Sequence, residues 1–271
     1  MKARLRGRAV FAAFDQGQVP KIACFNQAKT PLGFKLEKFV AALQKYVDNC
    51  VVPVWGTPAK LMTTSGFVKG SWAIVFLDTA DEEGALAYHD LTPDGFPLSK
   101  VFVKTIQEDD SSLTVATSHE LVEMLVDPAI NLWSNGPEQG VFYAYEAADP
   151  VEEKSFKLDG FEMTDFVYPS YFEDFHKPRS TQFDYMKKVK RPFEILTGGY
   201  QIIFKKGKEH QVMGSRAKAT RFRKEDRRGH RSEARRPGRP ARKCRKVGNV
   251  FTHNSLCRSE APFGRVVKRF S

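Results

Sequence analysis

Residues 115–127 read VATSHELVEMLVD, and the reading of the rest of the chain follows from them. Leu121, Val122, Met124, Leu125 and Val126 give the run an apolar body suited to burial in a helix. His119, Glu120 and Glu123 are its polar groups. On an α-helix, residues four apart project from one face about 6 Å apart along the axis, so His119 and Glu123 can close around one ion. Glu120 is turned about 100° from His119. Thr117 or Ser118 is expected near the start, and Pro128 sets the end, because a residue before proline is pushed out of the α region. Asp127 lies about 12 Å along the helix from His119 and is read as a helix-end residue.

The spacing is that of the H-E-x-x-H helix, in which two ligands four apart hold zinc and the intervening glutamate is a general base, except that Glu123 stands where the second histidine would be. A carboxylate also ligates zinc, and a His-plus-carboxylate set suits manganese or iron as well. The helix alone supplies two ligands, so a third has to come from elsewhere. YEAADPVE (145–152) offers Glu146, Asp149 and Glu152, with Glu146 the natural choice and Asp149 the next. The competing reading is a buried core helix whose three polar residues merely cover its outer face. The density of further acids, and the repeated Asp-Pro at 127–128 and 149–150, argue for the metal. His89 is read first as a structural histidine following a strand, with a ligand or substrate contact as the alternative.

Outward from the helix, the preceding sequence alternates strand-like and turn-like runs. KIACF (21–25), AKLMTTS (59–65), WAIVFLD (72–78), GALAYHD (84–90) and SKVFVKT (99–105) are the expected strands. LEKFVAALQKYVDNCV (36–51) spaces its apolar residues as a helix, which Pro53 is expected to end. This predicts a mixed sheet of four or five strands packed on a helix, an α+β arrangement. After the central helix, VFYAYEAAD (141–149) is expected to be extended, Asp159-Gly160 to turn a hairpin within 156–167, and GGYQIIF (198–204) to be a closing strand.

Charge divides the chain. Of 43 Lys/Arg and 32 Asp/Glu in 271 residues, positions 205–271 hold 22 basic and 5 acidic ones, leaving 21 basic and 27 acidic before them. The expected organisation is a flexible N-terminus over 1–19, a folded acidic body over 20–204, and a basic, disordered tail over 205–271 able to meet nucleic acid without sequence preference. The tail's aromatics are too sparse for a base-stacking platform. Cys24, Cys50, Cys244 and Cys257 lack the paired spacing of a zinc ribbon, and the first two read as buried structural thiols. No apolar run approaches the roughly 20 residues that span a bilayer, and AVFAAF near the start is too short for a secretory signal. A cytoplasmic setting without secretion is therefore expected. Phosphate-binding loops and the G-x-S-x-G elbow are absent, which argues against nucleotide-driven and serine-hydrolase chemistry.

SHELVEMLVDP, followed by YEAADPVE, FVYPSYF and PFEILTGGY, resembles a group of uncharacterised bacterial and phage-associated proteins over roughly residues 20–230. More distantly, the helix with its later acids is similar to zincin-like metallopeptidases. The near resemblance implies a shared fold and a phage or prophage setting, with a virion-associated location as the alternative to a cytoplasmic one. The distant one implies a zincin-like fold, His119 as ligand, Glu120 as base, Glu123 with Glu146 or Asp149 as the remaining ligands of zinc or another divalent metal, a sheet edge as cleft wall, and a peptide as substrate. Glu123 replaces the second histidine of that peptidase helix. The alternative function is a non-catalytic phage structural or interaction protein whose basic tail contacts nucleic acid.

Overall fold

The structure is a computed structural model that describes residues 18–81 and 85–215. It is a mixed α/β arrangement built on a five-stranded sheet. The strands are β1 (Lys21–Asn26), β2 (Lys60–Thr63), β3 (Trp72–Leu77), β4 (Ala87–Leu91) and β5 (Pro97–Phe102), in the order β2-β1-β3-β5-β4. All neighbours pair in parallel except β4, which runs antiparallel to β5 at the edge. The interior strands are apolar runs such as WAIVFL because both faces of the sheet are covered. Ile22, Cys24, Ile74, Phe76 and Val101 face the main core, while Ala23, Phe25, Ala73, Val75 and Leu98 form a smaller cluster on the opposite face.

Helix α1 (Leu36–Tyr46) packs Phe39, Val40, Leu43 and Tyr46 into that main core. The chain does not stop at Pro53 as expected. A π-turn over Val47–Val51 leads into a short helix, α2 (Val52–Trp55), with Pro53 in its first turn. Proline is tolerated there because the first turn's N–H groups have no partner within the helix. Termination falls to Gly56, at φ +67°, whose N–H donates to Val52 O at 2.9 Å. A second short helix, α3 (Val103–Glu108), follows β5 directly, so the expected strand through residue 105 ends at Phe102.

The central helix, α4, spans Leu113–Val126, starting earlier than Thr117 or Ser118. Its N-cap is Ser112, whose Oγ accepts from Val115 N at 3.4 Å. Thr117 and Ser118 instead lie inside the helix, with their hydroxyls donating to Leu113 O and Val115 O. Asp127 closes the far end: its carboxylate accepts from Asn131 N and Leu132 N, organising the turn after Pro128.

Beyond α4, the strands β6 (Trp133–Asn135), β7 (Val141–Ala144), β10 (Tyr200–Lys205) and β11 (Lys208–Met213) form an antiparallel sheet in the order β11-β10-β7-β6. A separate hairpin pairs β8 (Ser155–Leu158) with β9 (Phe161–Thr164). Asp159 and Gly160 turn it, at φ +51° and +82°, the two left-handed residues of a primed hairpin turn. The expected body–tail boundary at residue 204 needs moving. Lys205 is paired with Lys208 across the Lys206-Gly207 turn, so β10 is not a closing strand, and the first residues of the basic segment complete a hairpin. The segment expected to be a flexible N-terminus, over most of 1–19, and the basic segment beyond residue 215 lie outside the described residues. Cys24 and Cys50 are buried free thiols, and burial pushes the Cys24 thiol up to about 12. Among the described residues no helix is long and apolar enough to cross a membrane.

Candidate metal centre

Three elements bring the site together. Helix α4 packs against β4, β5 and β9. It is pinned to the hairpin by Ser118, whose Oγ accepts from Thr164 N at 2.8 Å, and this sets the rotation of the helix. The edge strand β4 delivers His89. After β7, the chain supplies Glu146 and then a 3-10 turn over Asp149–Val151, which carries Asp149.

Four carboxylates and two imidazoles meet there, nearly all out of water. His89, Glu123, Glu146 and Asp149 are fully buried and Glu120 nearly so, while the His119 side chain, 11% exposed, is the widest opening to solvent. His119 Nε2 lies 3.2 Å from Asp149 Oδ1 and 3.4 Å from Glu123 Oε1. His89 Nδ1 lies 3.0 Å from Glu120 Oε2 and 3.7 Å from Glu123 Oε2. Glu123 Oε1 also accepts from the backbone N–H of Ala148 and of Asp149, both at 3.3 Å, which ties the helix to the acid-bearing turn.

These side chains fall into two groups whose ligand atoms lie within 4.8 Å of one another: His119, Glu120 and Glu123, and His89, Glu123 and Glu146. That spacing fits a cation. Two ligand atoms held about 2.0–2.2 Å from one ion at a tetrahedral angle stand about 3.3–3.6 Å apart, and the two His119 contacts are of that size. Buried His and Glu groups close enough to hold a metal ion are thus present. Among the described residues His89 Nε2 and Glu123 Oε2 make no hydrogen bond, and leaving such buried atoms unsatisfied costs about 1–3 kcal/mol each, more where charged. A ligated cation would remove that cost.

The electrostatics point the same way. Burial pushes the Glu123 carboxyl well above the usual range, and the neighbouring Asp149 and Glu146 push it further, against the opposing pull of His119. Burial alone would lower the His119 imidazole. The carboxylates of Glu123, Asp149 and Glu120 outweigh it and hold the ring well above its usual value. Without a metal, the cluster therefore keeps protons on groups that a divalent ion would displace.

The expected residues are distributed unevenly. His119, Glu123 and Asp149 come together by direct contact, whereas Glu146 joins Glu123 on the His89 side. Glu120, expected to turn away from the other two, bends its carboxylate back over them to meet His89. Glu152 enters neither group. His89, read first as structural, is a full member of the cluster. Its signal in the sequence was a histidine beside an aspartate within the short strand AYHDL. AYHD lies on the edge strand β4, whereas SKVF belongs to β5, inside the sheet.

Two further features support the acid-bearing turn. The Tyr145 ring, next to Glu146, stacks on Phe172 at 4.1 Å and meets Trp55 edge-on at 5.9 Å. Gly199 lies against the turn so closely that a Cβ there would stand 2.2 Å from Pro150 O and 2.9 Å from Asp149 O. No protein-family model, curated protein or solved structure matches the chain.

Proposed function

We propose that the chain is a metal-dependent hydrolase of zincin-like build, acting on peptides, with His119 and Glu123 holding a divalent cation and Glu120 serving as general base. The observation that carries this reading is the buried convergence of the His119, Glu120 and Glu123 ligand atoms on one side of α4. When bound, the cation supplies Lewis acidity toward a carbonyl oxygen and toward water. Glu120 accepts a proton at its carboxylate and returns it to the leaving amine. Its hydrogen bond with His89 fixes the carboxylate in place. Asp149 Oδ1 lies 3.2 Å from His119 Nε2, the same ring nitrogen that faces Glu123, and would serve as a third ligand from the opposite element. The antiparallel edge strand β4, beside the helix, supports a peptide as substrate, because an extended chain can add to a sheet edge.

Glu120→Gln tests the assignment. It keeps the shape and removes the base, so hydrolysis of a quenched fluorescent peptide library should fall by about 10²–10⁴-fold while metal content stays unchanged. Hydrolysis by the variant at the unaltered rate, or purified protein devoid of metal and thermally indifferent to chelators, would overturn the reading. The non-catalytic alternative, with the basic segment contacting nucleic acid, predicts instead that Glu120→Gln is silent and that removing residues 216–271 abolishes nucleic-acid binding.

A further inference from the structure

The two groups share one residue, Glu123, and share it by opposite oxygens. Oε1 faces His119, at 3.4 Å, and Oε2 faces His89, at 3.7 Å. A carboxylate shared in this way between two ligand sets is the arrangement that bridges two cations. The geometry points to a two-metal centre, one ion on His119 and Glu123 Oε1, the second on His89, Glu123 Oε2 and Glu146, with Glu123 as the bridge. This rests on the metal-dependent reading above and extends it.

Three observations converge on the second ion. Glu123 Oε2 is fully buried, makes no hydrogen bond among the described residues, and belongs to the group formed with His89 and Glu146. His89 is equally buried, and while its Nδ1 meets Glu120 Oε2 at 3.0 Å, its Nε2 makes no hydrogen bond among the described residues. Charge is the third. Ligation requires deprotonated carboxylates, and in that state Glu120, Glu123, Glu146 and Asp149 carry four negative charges facing two imidazoles. With neutral histidines, one divalent ion offsets half of that charge and two offset all of it. Ions bridged by one carboxylate stand about 3.5–4 Å apart, the separation at which paired ions activate water and hold the substrate's oxygen together.

The test uses the full chain, stripped with a chelator, reloaded with Mn²⁺ alone and desalted. Metal per chain is measured by mass spectrometry and the coupling between ions by electron paramagnetic resonance. Two manganese ions per chain are expected, with the six-line signal of isolated Mn²⁺ replaced by that of a spin-coupled pair. His89→Gln and Glu146→Gln should each lose one ion and restore the isolated signal, while His119→Gln should leave an isolated ion on the His89 side. The His89→Gln/His119→Gln double variant subtracts metal held elsewhere on the chain. One ion per chain, unchanged by His89→Gln and Glu146→Gln, would overturn the two-metal centre and leave the hydrolase reading standing. Two uncoupled ions indifferent to both variants would overturn it as well, by placing the second ion elsewhere. No retained metal would overturn both readings. If a variant fails to fold, as judged by its melting transition, the coupling in the unaltered protein still decides.

Discussion

Two buried acidic clusters lie within this molecule, and they are built on opposite plans. Asp165, after β9, accepts from Phe166 N at 2.8 Å and Met186 N at 3.0 Å, and Asp184 accepts from Val189 N at 2.9 Å and Lys188 N at 2.8 Å. Those carboxylates are answered by the backbone and organise the loops that carry them. In the other cluster, Glu123 receives only two long backbone contacts and otherwise faces imidazoles and further acids. A carboxylate kept for structure is surrounded by N–H donors, whereas one kept for a ligand is surrounded by other ligands. The difference gives each cluster its own expected response to metal, to pH and to substitution.

The largest contrast should come from metal. Zinc returned to chelated protein at about 100–1,000 times its Kd should stabilise the fold by about 3–4 kcal/mol, a rise in melting temperature of roughly 6–16 °C. Glu123→Ala should abolish that rise, and Asp165→Asn should leave it whole. An equal response from both variants would erase the distinction between the clusters.

A smaller effect is expected from pH. Burial and the adjacent Asp184 push the Asp165 carboxyl up to about 8, against the pull of the backbone donors. The folded chain thus holds a proton that the unfolded chain releases at the ordinary carboxylate pKa of 3.8. Its contribution is fully present below the unfolded value and is lost as pH rises towards about 8. Between about pH 6 and pH 8 the loss should be on the order of 2 kcal/mol. Asp165→Asn keeps an acceptor for Phe166 N and Met186 N and should flatten the melting temperature across that interval. A profile as steep as that of the unaltered protein would count against a proton held by Asp165.

Ser112→Ala should give the smallest change, about 0.5–1 kcal/mol in chemical denaturation, since it removes one long capping bond at the start of α4. Metal retention should survive it, because the cap is remote from the ligands. Loss of metal would mean that the start of the helix, rather than the Ser118–Thr164 bond, sets its rotation.

Much of the frame was legible in the sequence because its signals are local. Five apolar runs with turn residues between them became the five strands, with ends shifted by up to three residues, and Asp159-Gly160 turned its hairpin. What escaped was decided by partners distant in sequence. Nothing near Pro53 says that a π-turn will carry the helix past it. Ser112 reads as loop until the helix it caps is known to begin at Leu113. Lys208–Met213, charged and polar, becomes a strand only because β10 lies ready to pair with it. The site divides in the same way. The four-residue spacing of His119 and Glu123 is a property of one helix, whereas the position of His89 depends on β4 being the antiparallel edge, and that order is set by the packing of the whole sheet. Glu120 bends towards His89 for the same reason, and spacing along a helix cannot express it.

The close seat of Gly199 on the turn at Asp149 has a consequence for how the halves of the molecule communicate. The strand beginning at Tyr200 rests directly on the backbone that carries an acid of the cluster, with no side chain between them to absorb a shift. A displacement of the antiparallel sheet is therefore passed to Asp149 through hard contact between main chains, over a path of a few atoms. The second sheet works as the abutment of the site: it contributes no ligand, yet it fixes how far one wall of acids can retreat from the helix.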